Sequence, residues 1–231
     1  MPYRYKRKVP LKRYQNRKRV VRKPYKRLNN VIKRQALKQM ETKERLQTIY
    51  TAGLTHGTLY TTYLTFLSQG TSGQTRIADK VFYCGFNIKL QIISSSPYSS
   101  LWRFYIIKHR DTQSLADASS FSPSGVSPNL FFRNGDLYPT AMVNTDNINV
   151  LLTKTVKIGP RYNGEVAYTK EVFLNKKIMR HFSFRPGSAV DGEHYNYYFL
   201  MIPWNNDAAA SVGTTTVGNV RATIEQVYKD A

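Results

Sequence analysis

Cysteine is nearly absent from this chain: Cys84 is its single thiol. An intrachain disulfide framework is therefore excluded. No Asn-x-Ser/Thr sequon occurs. No run of about 18 apolar residues exists, so nothing reads as membrane-spanning. The start is basic but is not followed by an apolar segment of secretory type. Together these absences suit a protein made and kept inside cells. The chain has no Walker A sequence, no G-x-G-x-x-G and no G-x-S-x-G. Its four histidines, His56, His109, His181 and His194, show no metal-ligand spacing. No cofactor and no metal are expected, and the chain does not read as an enzyme.

Acid is the other scarcity. The 231 residues hold 35 Lys and Arg but only 14 Asp and Glu, a net charge of +21. The imbalance is local: residues 1–50 carry 18 of the cations and 2 of the acids, leaving +5 for the rest. Residues 2–27, PYRYKRKVPLKRYQNRKRVVRKPYKR, contain no acid at all. Such a segment repels itself and has little to bury, so it is expected to be disordered in isolation. Block basicity of this size points to nucleic acid. The candidate phosphate contacts are Arg4, Lys6, Arg7, Lys8, Lys12, Arg13, Arg17, Lys18, Arg19, Arg22, Lys23, Lys26 and Arg27. Tyr3, Tyr5, Tyr14 and Tyr25 sit among them and can stack on bases. Lys6, Arg7, Lys8, Lys12, Arg13, Arg17, Lys18 and Arg19 also form clusters of nuclear-import type. Residues 1–50 are read as a basic arm and 51–231 as the folded domain. Within the arm, NVIKRQALKQMETKERLQ predicts a short helix over 30–47, with Asn30 as N-cap.

Beyond residue 58 the hydrophobic period changes to two. Strands are predicted over 58–68, 80–93, 101–109, 147–158, 165–174, 176–185, 194–202 and 219–229. In KVFYCGFNIKLQII, Phe82, Cys84, Phe86, Ile88, Leu90 and Ile92 share one face. Ile148, Val150, Leu152, Val156 and Ile158 do the same in 147–158, as do Val220, Ala222, Ile224 and Tyr228 in 219–229. HYNYYFLMI (194–202) is apolar on both faces, which places it centrally or at a subunit contact. Residues 110–146 form a long connection of the kind used for function or interaction, with QSLADA (113–118) as a short helix inside it.

Chemistry beyond the arm is sparse. Strand parity sets Cys84 among Phe82 and Phe86, where a thiol is inert packing. Asp191, Glu193 and His194 cluster in PGSAVDGEHY, a solvated loop or intersubunit contact more readily than a cation site. A nuclease would need clustered carboxylates, and apart from Asp191/Glu193 and the Asp207 loop the acids are scattered singly. QGTSGQTR (69–76) ends in Arg76, as a phosphate cradle could, but lies between strands rather than before a helix.

A basic arm followed by eight strands predicts an all-β chain, a single eight-stranded jelly roll of two packed antiparallel sheets. The run Gln69-Gly70-Thr71 … Arg76-Ile77-Ala78-Asp79-Lys80-Val81 resembles the capsid proteins of small circular Rep-encoding single-stranded DNA viruses, the circovirus-like group, with Ala78 where that family usually has Gly. LWRFYIIKHRD (101–111), VLLTKTVKIG (150–159), KKIMRHFSF (176–184) and the late Tyr228-Lys229-Asp230 echo it in order. The resemblance implies a capsid protein that self-assembles into a small icosahedral virion, most simply sixty identical subunits (T=1). It implies an arm that binds the single-stranded DNA genome, engages host nuclear import receptors, and directs the protein to the host nucleus for assembly. Sixty arms would carry on the order of 1,000 positive charges, a sensible partial balance for about two kilobases of polyphosphate. The alternatives are the coat protein of a small or satellite RNA virus and a non-viral basic nucleic-acid-binding protein.

Overall fold

The computed structural model describes residues 31–32, 35–109, 122–123, 131–133, 139, 141–146, 148–160 and 167–230. Met1–Glu41 and Thr42–Ala231 are separate units. In the first, 31–32 and 35–39 are helical, and the Met40 amide donates to Ala36 O at 3.2 Å. The helix expected over 30–47 ends there, because strand β1, Thr42–Thr55, takes the rest.

The second unit is built from β1, β2 (Tyr60–Tyr63), β3 (Lys80–Ser94), β4 (Ser100–His109), β5 (Ser122–Pro123), β6 (Ile148–Ile158), β7 (Tyr168–Ser183), β8 (Asn196–Asn205) and β9 (Thr216–Asp230). One sheet runs β1-β9-β3-β7 and the other β5-β2-β8-β4-β6. First pairs with last throughout: β1 with β9, β2 with β8, β3 with β7 and β4 with β6, all antiparallel. A long hairpin wound up in this way is a jelly roll, with the two-residue β5 added to one edge.

Leaving out the two-residue β5, the count of eight strands agrees with the sequence only because two differences cancel. β1 was read as arm and helix, since Lys43, Arg45 and Gln47 alternate inward while Leu46 and Tyr50 lie exposed. Pairing with β9 along the whole strand overrides that inverted polarity. In turn, 165–174 and 176–185 are one strand, β7, continuous through Asn175, which pairs with Asn87. The helix expected at 113–118 lies outside the described residues.

Between the sheets, Phe86, Ile88, Leu90 and Ile92 of β3 and Val220, Ala222 and Ile224 of β9 meet Trp102, Phe104 and Ile106 of β4 and Tyr197, Phe199 and Met201 of β8. The larger aliphatic and phenyl side chains among them each contribute about 1.5–3 kcal/mol on burial. A second cluster covers the outer face of the five-stranded sheet, where Tyr198, Leu200, Ile202 and Trp204 of β8 pack with Tyr105, Ile107, Phe131 and Phe132. β8 is thus buried on both faces, as its composition demands. Phe131 and Phe132, with Ala141 and Val143 packed against them, are the described residues of the 110–146 connection in this cluster.

Two bulges invert the expected faces. In β3, Tyr83 opposes Tyr228 and Gly85 opposes Val227, so Cys84 is the extra residue. Val81 and Tyr83 therefore join the intersheet core, and Phe82 turns to the other face against the His181 ring. In β6, Ile106 opposes Leu152 and Ile107 opposes Val150, leaving Leu151 extra. Ile148 and Val150 consequently face the outer cluster, and Leu152, Val156 and Ile158 the inner one.

His56 ties the loop end of the fold. Its Nδ1 accepts the Asn205 amide at 2.8 Å, its own amide donates to Thr215 O, and its carbonyl accepts the Gly213 amide. Burial holds its imidazolium form below the ordinary value of 6.5. The unfolded chain therefore takes up this proton first. The contribution is complete above about pH 6.5 and is lost as the pH falls below that value. Thermal melts from pH 7.5 to 5 should show a steeper acid decline for the native chain than for His56→Gln. Parallel profiles would show that His56 adds nothing.

Candidate nucleic-acid interface

The arm residues named from the sequence, Arg4 to Arg27 with Tyr3, Tyr5, Tyr14 and Tyr25, lie outside the described residues. What is described is the point where the chain enters the sheet. Lys43 faces inward at the start of β1, its Nζ 2.6 Å from Asp230 Oδ2 and 3.3 Å from Thr75 O. Asp230 Oδ1 also accepts the Ile77 amide. One carboxylate at the end of β9 thus holds the first residues of β1 and the loop before β3. With the Lys43 and Asp230 side chains only 5% and 14% exposed, the pair ties the start of β1 to the end of β9.

The Gly/Thr-rich loop is no phosphate cradle. Arg76 turns inward and is 1% exposed. Its Nε donates to Leu67 O, Nη1 to Ala78 O and Asp79 Oδ1, and Nη2 to Ser188 O. Its guanidinium lies 4.2 Å over the Phe184 ring. Four of its five N–H donors are engaged by the protein itself. The Arg76–Asp79 spacing quoted from the sequence is thereby explained as a clip between the 69–79 and 184–195 loops.

The acidic loop is also structural in its hydrogen bonding. Asp191 accepts from Tyr63 Oη at 3.4 Å and Ser188 Oγ at 3.2 Å, and its amide donates to Ser188 Oγ. Glu193 faces the exposed His194 at 3.9 Å. Among the described residues no three His, Cys, Asp or Glu side chains could hold a metal together, and no helix is long and apolar enough to cross a membrane. Cys84, expected on the apolar inner face, sits half-buried on its bulge instead. Burial pushes its thiol up, and nearby Lys229 pulls in the opposite direction.

Sequence reasoning missed a basic seam on the body, since a net charge of +5 over 181 residues suggested none. Along the facing edges of β6 and β7, Lys154 Nζ donates to Phe173 O at 3.1 Å and Lys170 Nζ to Lys157 O at 3.0 Å. The seam widens into a cleft of about 240 Å³ whose lining includes Lys108, Lys176, Lys177 and Arg180. The signal was present in the strands as Lys154/Lys157 and KKIMR (176–180), but only the approach of two sheet edges joins them.

No protein-family model matches the chain, and no curated protein matches it. Among solved structures it is similar to the BFDV capsid protein in a 60-mer crystal structure, with 11% identity, a TM-score of 0.31, and coverage of 83% of this chain and 94% of that one. It is also similar to a chain of the KBV activated particle at acidic pH, with 8% identity, a TM-score of 0.30, and coverage of 82% and 70%. Likeness at this level bears on neither genome nor partner.

Proposed function

We propose that this chain is a viral capsid protein that assembles into a closed icosahedral shell, most simply of sixty copies, and packages single-stranded DNA through its arm. The observation that carries this reading is the union of two features. The body is a jelly roll wound from four nested strand pairs, an architecture used in viral capsids. Ahead of it stand 13 Lys and Arg within residues 2–27 and no acid. Arginine and lysine meeting phosphate carry no base code, so packaging through the arm is largely independent of sequence. The same cations serve nuclear import before assembly, and the protein resides in the virion and the host nucleus.

Assembly needs surface to bury between copies. Leu46, Tyr50, Phe173 and Met179 are each more than half exposed on the four-stranded sheet. Apolar residues in such positions are the raw material of subunit contacts.

Electron microscopy of the purified full-length protein, with nuclease-protected nucleic acid extracted from the same sample, tests the reading. Shells of roughly twenty nanometres, the size expected of sixty such subunits, holding DNase-sensitive nucleic acid are expected. RNase-sensitive contents would make it an RNA coat protein, and a small soluble species would leave only a nucleic-acid-binding protein.

A further inference from the structure

The cleft between β6 and β7 is not explained by packing. Lys108, Lys176, Lys177 and Arg180 converge on it, with Asn149 and Tyr197 beside them and no acid in its lining. Lys108 Nζ is held 3.6 Å over the Tyr195 ring, and Tyr195 Oη donates to His181 O at 2.7 Å. Among the described residues, Lys176, Lys177 and Arg180 enter no salt bridge. Four like charges brought around one opening repel each other, and an anion entering it relieves that repulsion. The Asn149 amide beside the cations supplies a donor that a phosphate oxygen can use, while the buried Tyr197 phenol is already bonded to Tyr195.

Position selects the anion. Within the four-stranded sheet, Lys43 opposes Tyr228, Tyr228 opposes Tyr83, and Tyr83 opposes Arg180. The residue that anchors the chain's entry into β1 and the residue at the cleft therefore lie on one transverse row, three strand spacings or about 14 Å apart. The acid-free basic stretch 2–27 precedes β1 in the sequence, so the anion it selects, a polyphosphate, is the one the cleft would take.

We infer that this cleft is a second, body-borne phosphate site that grips the single-stranded nucleic acid collected by the arm. The inference rests on the packaging reading above. It makes the arm the collector and the rigid cleft the fixed point that sets where the strand meets the protein.

The test uses the full chain and a fluorescent 25-nucleotide oligo(dT), titrated across a series of salt concentrations. Each lost phosphate contact on a single strand lowers the slope of log K against log salt by about 0.7. The triple variant Lys176→Gln, Lys177→Gln, Arg180→Gln should flatten the slope by about 2, and Lys177→Gln alone by about 0.7. The melting temperature of the ligand-free protein should hold or rise, because like charges have been removed. An unchanged slope in a folded variant overturns the cleft and leaves the arm reading standing. Native protein that shows no salt-dependent binding sinks both. A parallel titration with a heparin-derived oligosaccharide covers the other source of clustered anionic oxygens. Loss of that binding alone, with oligo(dT) unaffected, would also overturn the inference.

Discussion

Arg76→Leu lowers the melting temperature by on the order of 10 °C. The guanidinium is 1% exposed and answers three carbonyls and the Asp79 carboxylate. Leucine leaves those acceptors without their donor, and breaking a buried charged network costs about 3–5 kcal/mol. Asp79 is 47% exposed and recovers water, so the low end, about 3 kcal/mol, applies. For a folded body of this size each kcal/mol is worth about 2–4 °C. Arg76→Lys should recover little, since an ammonium cannot span the fork of acceptors or lie flat on Phe184. The effect should be concentrated in the 69–79 and 184–195 loops, read as faster amide exchange there. A loss under about 1 kcal/mol would mean the clip is not what holds those loops together.

Deleting residues 1–30 should remove most of the salt dependence of single-stranded DNA binding, which costs the native chain on the order of 10⁵-fold in affinity between 50 and 200 mM salt. These residues hold 13 Lys and Arg and no acid. If all 13 meet phosphate, the native slope of log K against log salt approaches about −9. The deletion should reduce it to the few contacts the body supplies. Because Thr42–Ala231 is a compact unit in its own right, the truncated chain should melt as the full chain does. A truncated chain that binds with an unaltered slope would assign the nucleic-acid interface to the body and remove the arm from the packaging reading.

The acid-free stretch 2–27 and the alternating strands beyond residue 58 stood apart in the sequence because charge and hydrophobic period are local properties. β4, β8 and β9 were legible for the same reason: Trp102, Phe104 and Ile106 alternate, Tyr197 to Ile202 are apolar on both sides, and Val220, Ala222 and Ile224 keep strict parity. β1 was not, because Lys43 and Arg45 occupy its inward positions and find partners only in distant elements, Asp230 and the Phe66 ring. Phe82, Cys84, Ile148 and Val150 were assigned the wrong face because a bulge shifts parity by one residue, and a bulge is defined by the neighbouring strand.

Composition and periodicity by themselves determined an all-β body behind an acid-free basic arm, since burial of alternating apolar side chains and repulsion between clustered cations need no knowledge of the rest of the chain. Only the tertiary structure decided where the described charges of the body sit. It buried Arg76 as a clip, paired Lys43 with a residue 187 positions away, and brought Lys108 to the same opening as Lys176, Lys177 and Arg180. The energy of a charge depends on what surrounds it in space, and in a jelly roll those surroundings come from strands far apart in the chain.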